Sequence, residues 1–437
     1  MKRALLYFSI SAICLAMVAC SAPEEESSTD GGANESESAT GADEEVELEM
    51  YSWRSEDRSA YETIIEAFEE EHPNISISFR PFDSSEYNTI LTNALVSGSG
   101  PDIVQLRPYS GAETIADNGY LVNLDDIEGL DNINDDYLNA ARGSDESLYG
   151  IPLSLNAGVI FYNQDLFDEY GVDVPGTYEE FVAASETFLE NDIVPVAQGG
   201  RLAYLLSMLH GVMSPSVYGG NEFVEEVTSG EADLTDERLL SSLERMEELE
   251  RFFPQDFIAL DDNDAQAIFY AEEAAMYING DYRIGTFESN IPDMNLGVIP
   301  GLQLDEGGET PVMTWVDGSY GVVDGTGNEE AALKFMEFMA TPEFGQLFTD
   351  NLNRVSAVDG VNPEHDLVQQ IAQAAEESST PYLMLVHFGT GSPTTKTVFE
   401  DSLQGMYLDE ITKEDVLEDS QQNAERAEEE EPEDLDE

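Results

Sequence analysis

Covalent chemistry needs a nucleophile beside a base, a metal-ligand set or a phosphate cradle, and the sequence shows the signature of none of them. There is no His-Glu-x-x-His, no Gly-x-Ser-x-Gly and no Gly-Lys-Ser/Thr loop. The histidines His72, His210, His365 and His387 are widely spaced, and without cysteine partners they offer zinc no ligand set. Carboxylate pairs abound, so two-carboxylate glycoside hydrolysis stays open on residue types. With 92 acidic residues, however, a chance pair carries almost no information. The run Asp261-Asp262-Asn263-Asp264 resembles a calcium loop in composition but lacks its glycine and spacing, and reads as a solvated acidic loop. Neither a cofactor nor a metal is implied.

What the residues offer instead is recognition. In Ala274 to Arg283, an apolar run ends at Asn279-Gly280, a dipeptide suited to a positive-φ turn, followed by Asp281, Tyr282 and Arg283. A ring beside a carboxylate and a guanidinium suits a neutral polyhydroxylated ligand, with an apolar face for C–H groups and charged groups for hydroxyls. Taken alone, the same residues also fit an ordinary hairpin turn with a surface tyrosine.

The elements before this stretch must decide its setting. Val46, Leu48 and Met50 alternate as a strand that ends near Trp53. Ser59 and Glu62 have capping-box spacing before a helix carrying Tyr61, Ile64, Ile65 and Phe68, stopped by Pro73. Ile75, Ile77 and Phe79 mark a second strand, Tyr87 to Leu95 a second helix, and Asp102 to Leu106 a third strand. This alternation predicts an α/β fold with a mostly parallel sheet, whose ligands bind beyond the carboxyl ends of the strands. Trp53, Phe82-Asp83 and Arg107 to Tyr109 then share one rim. Trp53 reads equally as a core indole or a ligand contact, whereas Trp315 and Tyr162 lie in apolar runs and read as core. Arg54, Arg107 and Arg283 stand out because basic residues are scarce, though a surface ion pair would also account for them. Asn156, between apolar neighbours, is a candidate hydrogen-bonding group. Further on, Thr177 and Glu180 form another capping box, and a helix spans Asn328 to Met339. His387 and Phe388 precede Gly389-Thr390-Gly391, a plain loop or one that closes a cleft.

A chain of 437 residues suits two domains with appendages, and its formal charge of -75 repels nucleic acid and anionic lipid. Self-repulsion on that scale points to work in concentrated salt, where the screening length falls to about 3 Å at 1 M; an alkaline exterior is the other explanation. At the start, Met1-Lys2-Arg3, the uncharged run Ala4 to Ala19 and Met17-Val18-Ala19-Cys20 resemble a bacterial lipoprotein signal, in which Cys20 is lipidated. An uncleaved anchor helix is the alternative. Cys14 is the only other cysteine and lies in the segment to be removed, so the mature chain would hold no disulfide. Ser21 to Glu45 reads as an acidic tether and Glu428 to Glu437 as a disordered acidic end.

Several stretches together resemble the extracellular solute-binding proteins of ABC importers, in the sugar-binding group similar to maltose-binding protein. They are Phe68-Glu69 with His72-Pro73-Asn74-Ile75, Ser97-Gly98-x-Gly100-Pro101-Asp102-Ile103, and Tyr149-Gly150-Ile151-Pro152. Tyr162-Asn163-x-Asp165-Leu166-Phe167, Ala275-Met276 through Gly280, and Ala332 to Phe344 follow in order. The resemblance implies two α/β lobes joined by a hinge, closing on a ligand between them. It implies a first lobe of 46–153 plus 294–339 and a second of 154–293 plus 340–425, beside the signal peptide at 1–19, the tether at 20–45 and the acidic tail at 426–437 that the residues themselves suggest. Ligand contacts are implied at Trp53, Arg107, Tyr109, Asn156, Asp317-Gly318 and the aromatic after Asn-Gly, a tryptophan in most of the family and Tyr282 here. Arg54, Asp83, Asp281 and Arg283 complete the candidate set. The function implied is a monomeric, lipid-anchored, non-enzymatic receptor that delivers a sugar or oligosaccharide to an ABC permease. A polyol, polyamine or compatible solute as ligand, or a secreted hydrolase with paired carboxylates, are the alternatives.

Overall fold

The computed structural model describes residues 45–430 apart from 99 and 390. The leader, Cys20 and the tether through residue 44 lie outside the described residues, as do 431–437.

The alternating apolar positions of the first hundred residues form three strands, β1 (Val46–Ser52), β2 (Ile75–Pro81) and β3 (Ile103–Leu106). β1 pairs in parallel with both β2 and β3. The intervening helices Arg58–Glu71 and Ser84–Ser97 bury Tyr61, Ile64, Ile65 and Phe68, and Tyr87, Leu91 and Leu95. The first helix starts one residue before Ser59, so the capping box expected at Ser59 and Glu62 does not form. Asp57, at its N-terminus, faces an arginine instead, as described below.

The chain then adds β4 (Ile151–Pro152), β5 (Leu155–Asn163), β6 (Val194–Val196), β7 (Ala274–Gly280), β8 (Leu296–Ile299), β9 (Val312–Val316), β10 (Ser319–Val322) and β11 (Ser379–Pro381). The first sheet has the order β2-β1-β3-β10-β4, with β10 antiparallel to its neighbours. The second runs β11-β9-β5-β7-β6, and β8 also pairs with β5. Each sheet has its own apolar core. One gathers Leu48, Ile64, Phe68, Ile103, Tyr320, Phe335, Phe344 and Phe348; the other gathers Ile160, Phe181, Leu206, Phe223, Leu243, Met276 and Phe399. This is a two-lobe α/β architecture.

The lobes divide differently from the sequence expectation of a return over 294–339. β8 and β9 join the second sheet through β5, in registers such as Ile160↔Ile299 and Asn156↔Trp315. Helix Pro342–Leu352, capped by Thr341, stays with the first lobe through Phe344 and Phe348. Apolar periodicity marks a strand but not its partner, and these partners lie more than a hundred residues away. At the far end, helix Lys413–Glu430 continues into the segment expected to be disordered from Glu428.

Three chain segments cross between the lobes and are laced together. Leu153 N–H donates to Gly318 O at 3.1 Å, Asp317 N–H to Ser154 O at 3.0 Å, Leu155 N–H to Val355 O at 3.1 Å and Ala357 N–H to Leu153 O at 3.0 Å. Gly318 has φ +92°, and a Cβ there would meet the Trp53 ring at 2.6 Å, so only glycine fits this crossing. Among the described residues, no helix is long and apolar enough to cross a membrane.

Candidate functional site

The strand ends bring the first-lobe candidates together. Trp53 and Arg54 follow β1, Asp83 and Ser84 follow β2, and Arg107 follows β3, all around a cleft of about 550 Å³. From the other side come Tyr282 and Arg283 after β7, Trp315 on β9, Asp317 at the crossing, Tyr204 and Lys396 on helices, and Tyr382 just before one. Trp53, Arg54, Asp83, Arg107, Tyr282, Arg283 and Asp317 of the candidate set therefore line one cleft between the lobes.

Tyr109 lies elsewhere. It lines a second cavity of about 800 Å³ with Ser110, Asn134, Asn221, His387 and Gly389, and Trp315 borders both cavities. Tyr109 holds φ 58°, ψ -125°, a region that side chains rarely adopt. Its backbone N–H donates to Ala140 O of the first lobe at 2.7 Å, and its hydroxyl accepts from Val316 N–H at 3.1 Å, at the edge of the second sheet. Next to it, Ser110 Oγ donates to Gly389 O at 2.6 Å, so the loop after His387 touches the first lobe.

Asn156 and Asp281 are buried behind the wall, at 0% and 1% exposure. Asn156 Oδ1 accepts from Ser154 Oγ at 3.0 Å, while its Nδ2 has no hydrogen-bond partner among the described residues. Such an orphaned buried donor is costly unless a ligand or water group meets it. Asp281 Oδ1 accepts from Ala157 N–H at 3.1 Å and joins the ends of β5 and β7. Burial pushes its carboxyl up to about 7; the Ala157 N–H and Arg354 hold it down in part, and Asp317 adds to the rise.

The sign of that shift gives a pH prediction. A carboxyl raised from its ordinary value of about 4 stays protonated longer in the folded than in the unfolded chain. Its contribution is fully present below about pH 4 and is lost as pH rises through about 7. Asp281→Asn should therefore gain stability over the native protein as pH rises through this window, by an amount on the order of a few kcal/mol. Urea unfolding of both proteins at pH 4.5 and pH 8 checks this. A stability difference that does not change with pH would mean that Asp281 folds ionised.

The Asn279-Gly280 pair makes no positive-φ turn. Gly280 sits at φ -75°, ψ 150°, the last residue of a fully buried strand, and a 3-10 turn, Asp281–Arg283, follows. Glycine is required here for proximity: a Cβ would meet Cε1 of Tyr282 at 2.1 Å. The ring lies back over the strand end, where its hydroxyl donates to Asn279 Oδ1 at 2.7 Å.

Asn279 is in turn held by Asp262. Asp262 Oδ1 accepts from Tyr277 Oη at 2.5 Å and from Asn279 Nδ2 at 3.0 Å. Its Oδ2 accepts from Gln266 Nε2 at 2.9 Å and from the Arg283 guanidinium. Asp262 is 5% exposed, which overturns the reading of Asp261 to Asp264 as a solvated loop. Asp261 caps the helix Asp262–Tyr270, and that turn aims Asp262 inward. A calcium-like composition concealed a helix N-terminus that orients a cleft tyrosine.

The cleft's aromatic wall continues from Tyr282 to Trp315, with centroids 6.5 Å apart, and from Trp315 to Tyr382 at 5.7 Å, both edge-on. Trp315 therefore contributes to both the core and the cleft. Trp53 opposes this wall but is 4% exposed, packed edge-on against Tyr87 and covered by Arg107 at 4.2 Å. Arg54 lies between the lobes, 5.9 Å from the Trp53 ring and 5.8 Å from that of Tyr282, and pairs with Asp317. Burial alone would lower its guanidinium, but Asp317, Asp57 and Glu56 more than offset this and raise it. Burial pushes the Tyr282 hydroxyl up to about 12, so it serves as a neutral donor. Tyr204, Tyr382 and Lys396 carried no sequence signal, because each sits in an element whose approach to the cleft is purely tertiary.

Two lobes, a laced crossing and a cleft of rings and fixed charges define a solute-binding protein. The family model described as bacterial extracellular solute-binding protein matches residues 52–346, and the chain belongs to that family. It is a family of binding proteins, not enzymes. The chain is 28% identical over 284 residues to an uncharacterized ABC transporter extracellular-binding protein of Pyrococcus horikoshii, a match spanning 62% of this chain and 64% of that relative. It is 24% identical over 340 residues to the multiple sugar-binding protein of Streptococcus mutans, covering 76% of this chain and 80% of the relative. The solved structure of a chitin oligosaccharide binding protein shares the fold, with a TM-score of 0.74 at 21% identity over 87% of this chain and 98% of that one.

Proposed function

We propose that the protein captures a sugar or oligosaccharide between its lobes and presents it to an ABC import permease. The observation that carries this reading is Tyr282 at the mouth of the cleft, its hydroxyl tied to Asn279 and its ring set beside Arg54, Arg283 and Asp317. A ring fixed in place gives sugar C–H groups a face at little entropic cost, and the surrounding charged groups meet hydroxyls. The sugar-binding names of relatives such as the Streptococcus mutans protein support the same class.

The arginines at the cleft count against a polyamine. A hydrolase would need two carboxylates free to act on one bond, and Asp317 is tied up with Arg54. A screen of saccharides, polyols and osmolytes by thermal shift in molar salt tests the ligand class. A ligand at 100 times its dissociation constant adds about 2.7 kcal/mol. Stabilisation by osmolytes with none by any saccharide would reject the sugar, and a saccharide recovered cleaved would reject a receptor.

The reading extends to Cys20 as the lipidated residue, with 21–45 as tether and a monomer at the membrane. A Cys20→Ala chain that stayed in the membrane fraction would remove the anchor from this account.

A further inference from the structure

The charged groups lining the cleft pair off, with one left over. Arg54 meets Asp317 and Glu56, Arg283 meets Asp262, and Lys396 meets Glu400 at 2.5 Å. Asp83 accepts from Ser85 N–H at 2.9 Å and from Ser85 Oγ at 2.5 Å, which lowers its carboxyl. Every cleft carboxylate thus has its own donor. Arg107 forms no ion pair among the described residues. Its Nη2 donates to Ser84 O at 3.1 Å and to Ser84 Oγ at 2.9 Å, both uncharged acceptors.

The guanidinium is also held from its face. Its carbon lies over the Trp53 ring, 4.2 Å from the centroid, while Ser84 holds Nη2. Nε and Nη1 have no partner among the described residues. In a chain with 92 acidic and 17 basic residues, a clamped arginine without an ion pair runs against the whole composition; Asp317 acts on it only from beyond ion-pair distance and is already paired with Arg54. The Nε–H and Nη1–H groups left over can donate charge-assisted hydrogen bonds to a carboxylate.

We propose that the cleft takes a saccharide bearing a carboxylate, a uronosyl residue, and that Arg107 receives that carboxylate. This deepens the sugar-binding reading and rests on it. The ligand brings an anion into direct contact with Arg107, which no carboxylate of the cleft makes, and the indole beneath the guanidinium keeps water from one face. Arg107 thereby sets specificity within the sugar class.

The test uses the full chain in molar salt, with oligomers of galacturonate, glucuronate and mannuronate, each compared with its own methyl ester. The esters keep shape and hydroxyls and lose only the charge. At least one acid should bind about ten- to a hundred-fold more tightly than its ester, as expected of hydrogen bonds to a charged partner. Arg107→Gln should erase that ratio, and Arg107→Lys, which keeps the charge without the planar set of donors, should recover only part of it. Equal binding of acid and ester throughout overturns the inference while leaving sugar binding intact. So does a preference for sulfated oligosaccharides over every uronate, or an acid preference that survives Arg107→Gln. If no saccharide of either kind binds, the sugar-binding reading fails too.

Discussion

Replacing Arg354 by alanine is expected to lower the unfolding free energy by about 3–5 kcal/mol, the usual cost of removing one partner from a buried ion pair. Arg354 immediately precedes the third crossing segment, and its two terminal nitrogens reach Asp57 at 2.8 and 2.9 Å. Both side chains are nearly sealed, at 6% and 3% exposure. The pair bolts the hinge to the turn after β1, two residues from the cleft residue Ser55. With Arg354 gone, the buried Asp57 carboxyl loses these two donors beside the buried ring of Tyr61. The pair itself need not be strongly favourable, so Asp57→Ala combined with Arg354→Met should cost clearly less than the sum of the single changes. Urea unfolding in molar salt measures all of these variants. A loss under about 1 kcal/mol for Arg354→Ala would class the pair with ordinary surface bridges and remove it from the hinge account.

Tyr282→Ala should abolish stabilisation by saccharide while costing the unliganded fold little. The ring is half-buried, and the Gly280 N–H still occupies Asn279 Oδ1 at 2.8 Å once the tyrosine hydroxyl is gone. What disappears is the face at the mouth of the cleft, and with it a ligand-induced gain of about 2.7 kcal/mol at a hundred-fold excess over the dissociation constant. Tyr282→Phe keeps that face and should keep most of the gain. Thermal shifts of the two variants with the same saccharide decide the matter. An alanine variant that retains the full shift would place the sugar elsewhere, with the Trp315 and Tyr109 cavity the first region to search.

Much of the first lobe was legible because its signals are local. Period-two strands, helix faces and short links assembled β1 to β3, and the strand-end rule then placed Trp53, Asp83 and Arg107 at one rim. Local rules failed where a long-range partner decided the outcome. Asn279-Gly280 has turn composition, yet a hydrogen-bonded strand partner, Val159↔Asn279, and the pull of Asp262 keep it extended. Asp262 looked solvated because its neighbours are acidic, and only the helix capped by Asp261 turns it inward. Asn156 and Asp281 lie one layer behind the lining, a depth that residue type does not encode. Tyr204 and Tyr382 reach the cleft from segments whose docking no window of sequence encodes.

The chain's two tryptophans, Trp53 and Trp315, both line the cleft, so its entire tryptophan emission reports on that one place. The most direct test of the account is therefore a fluorescence titration of the native protein in molar salt with saccharides, neutral and uronic. A saturable change in tryptophan emission with at least one saccharide, recovered intact afterwards, is the result expected. Emission unchanged by every saccharide at millimolar concentration, in protein shown to be folded, would contradict the claim that this cleft binds sugar.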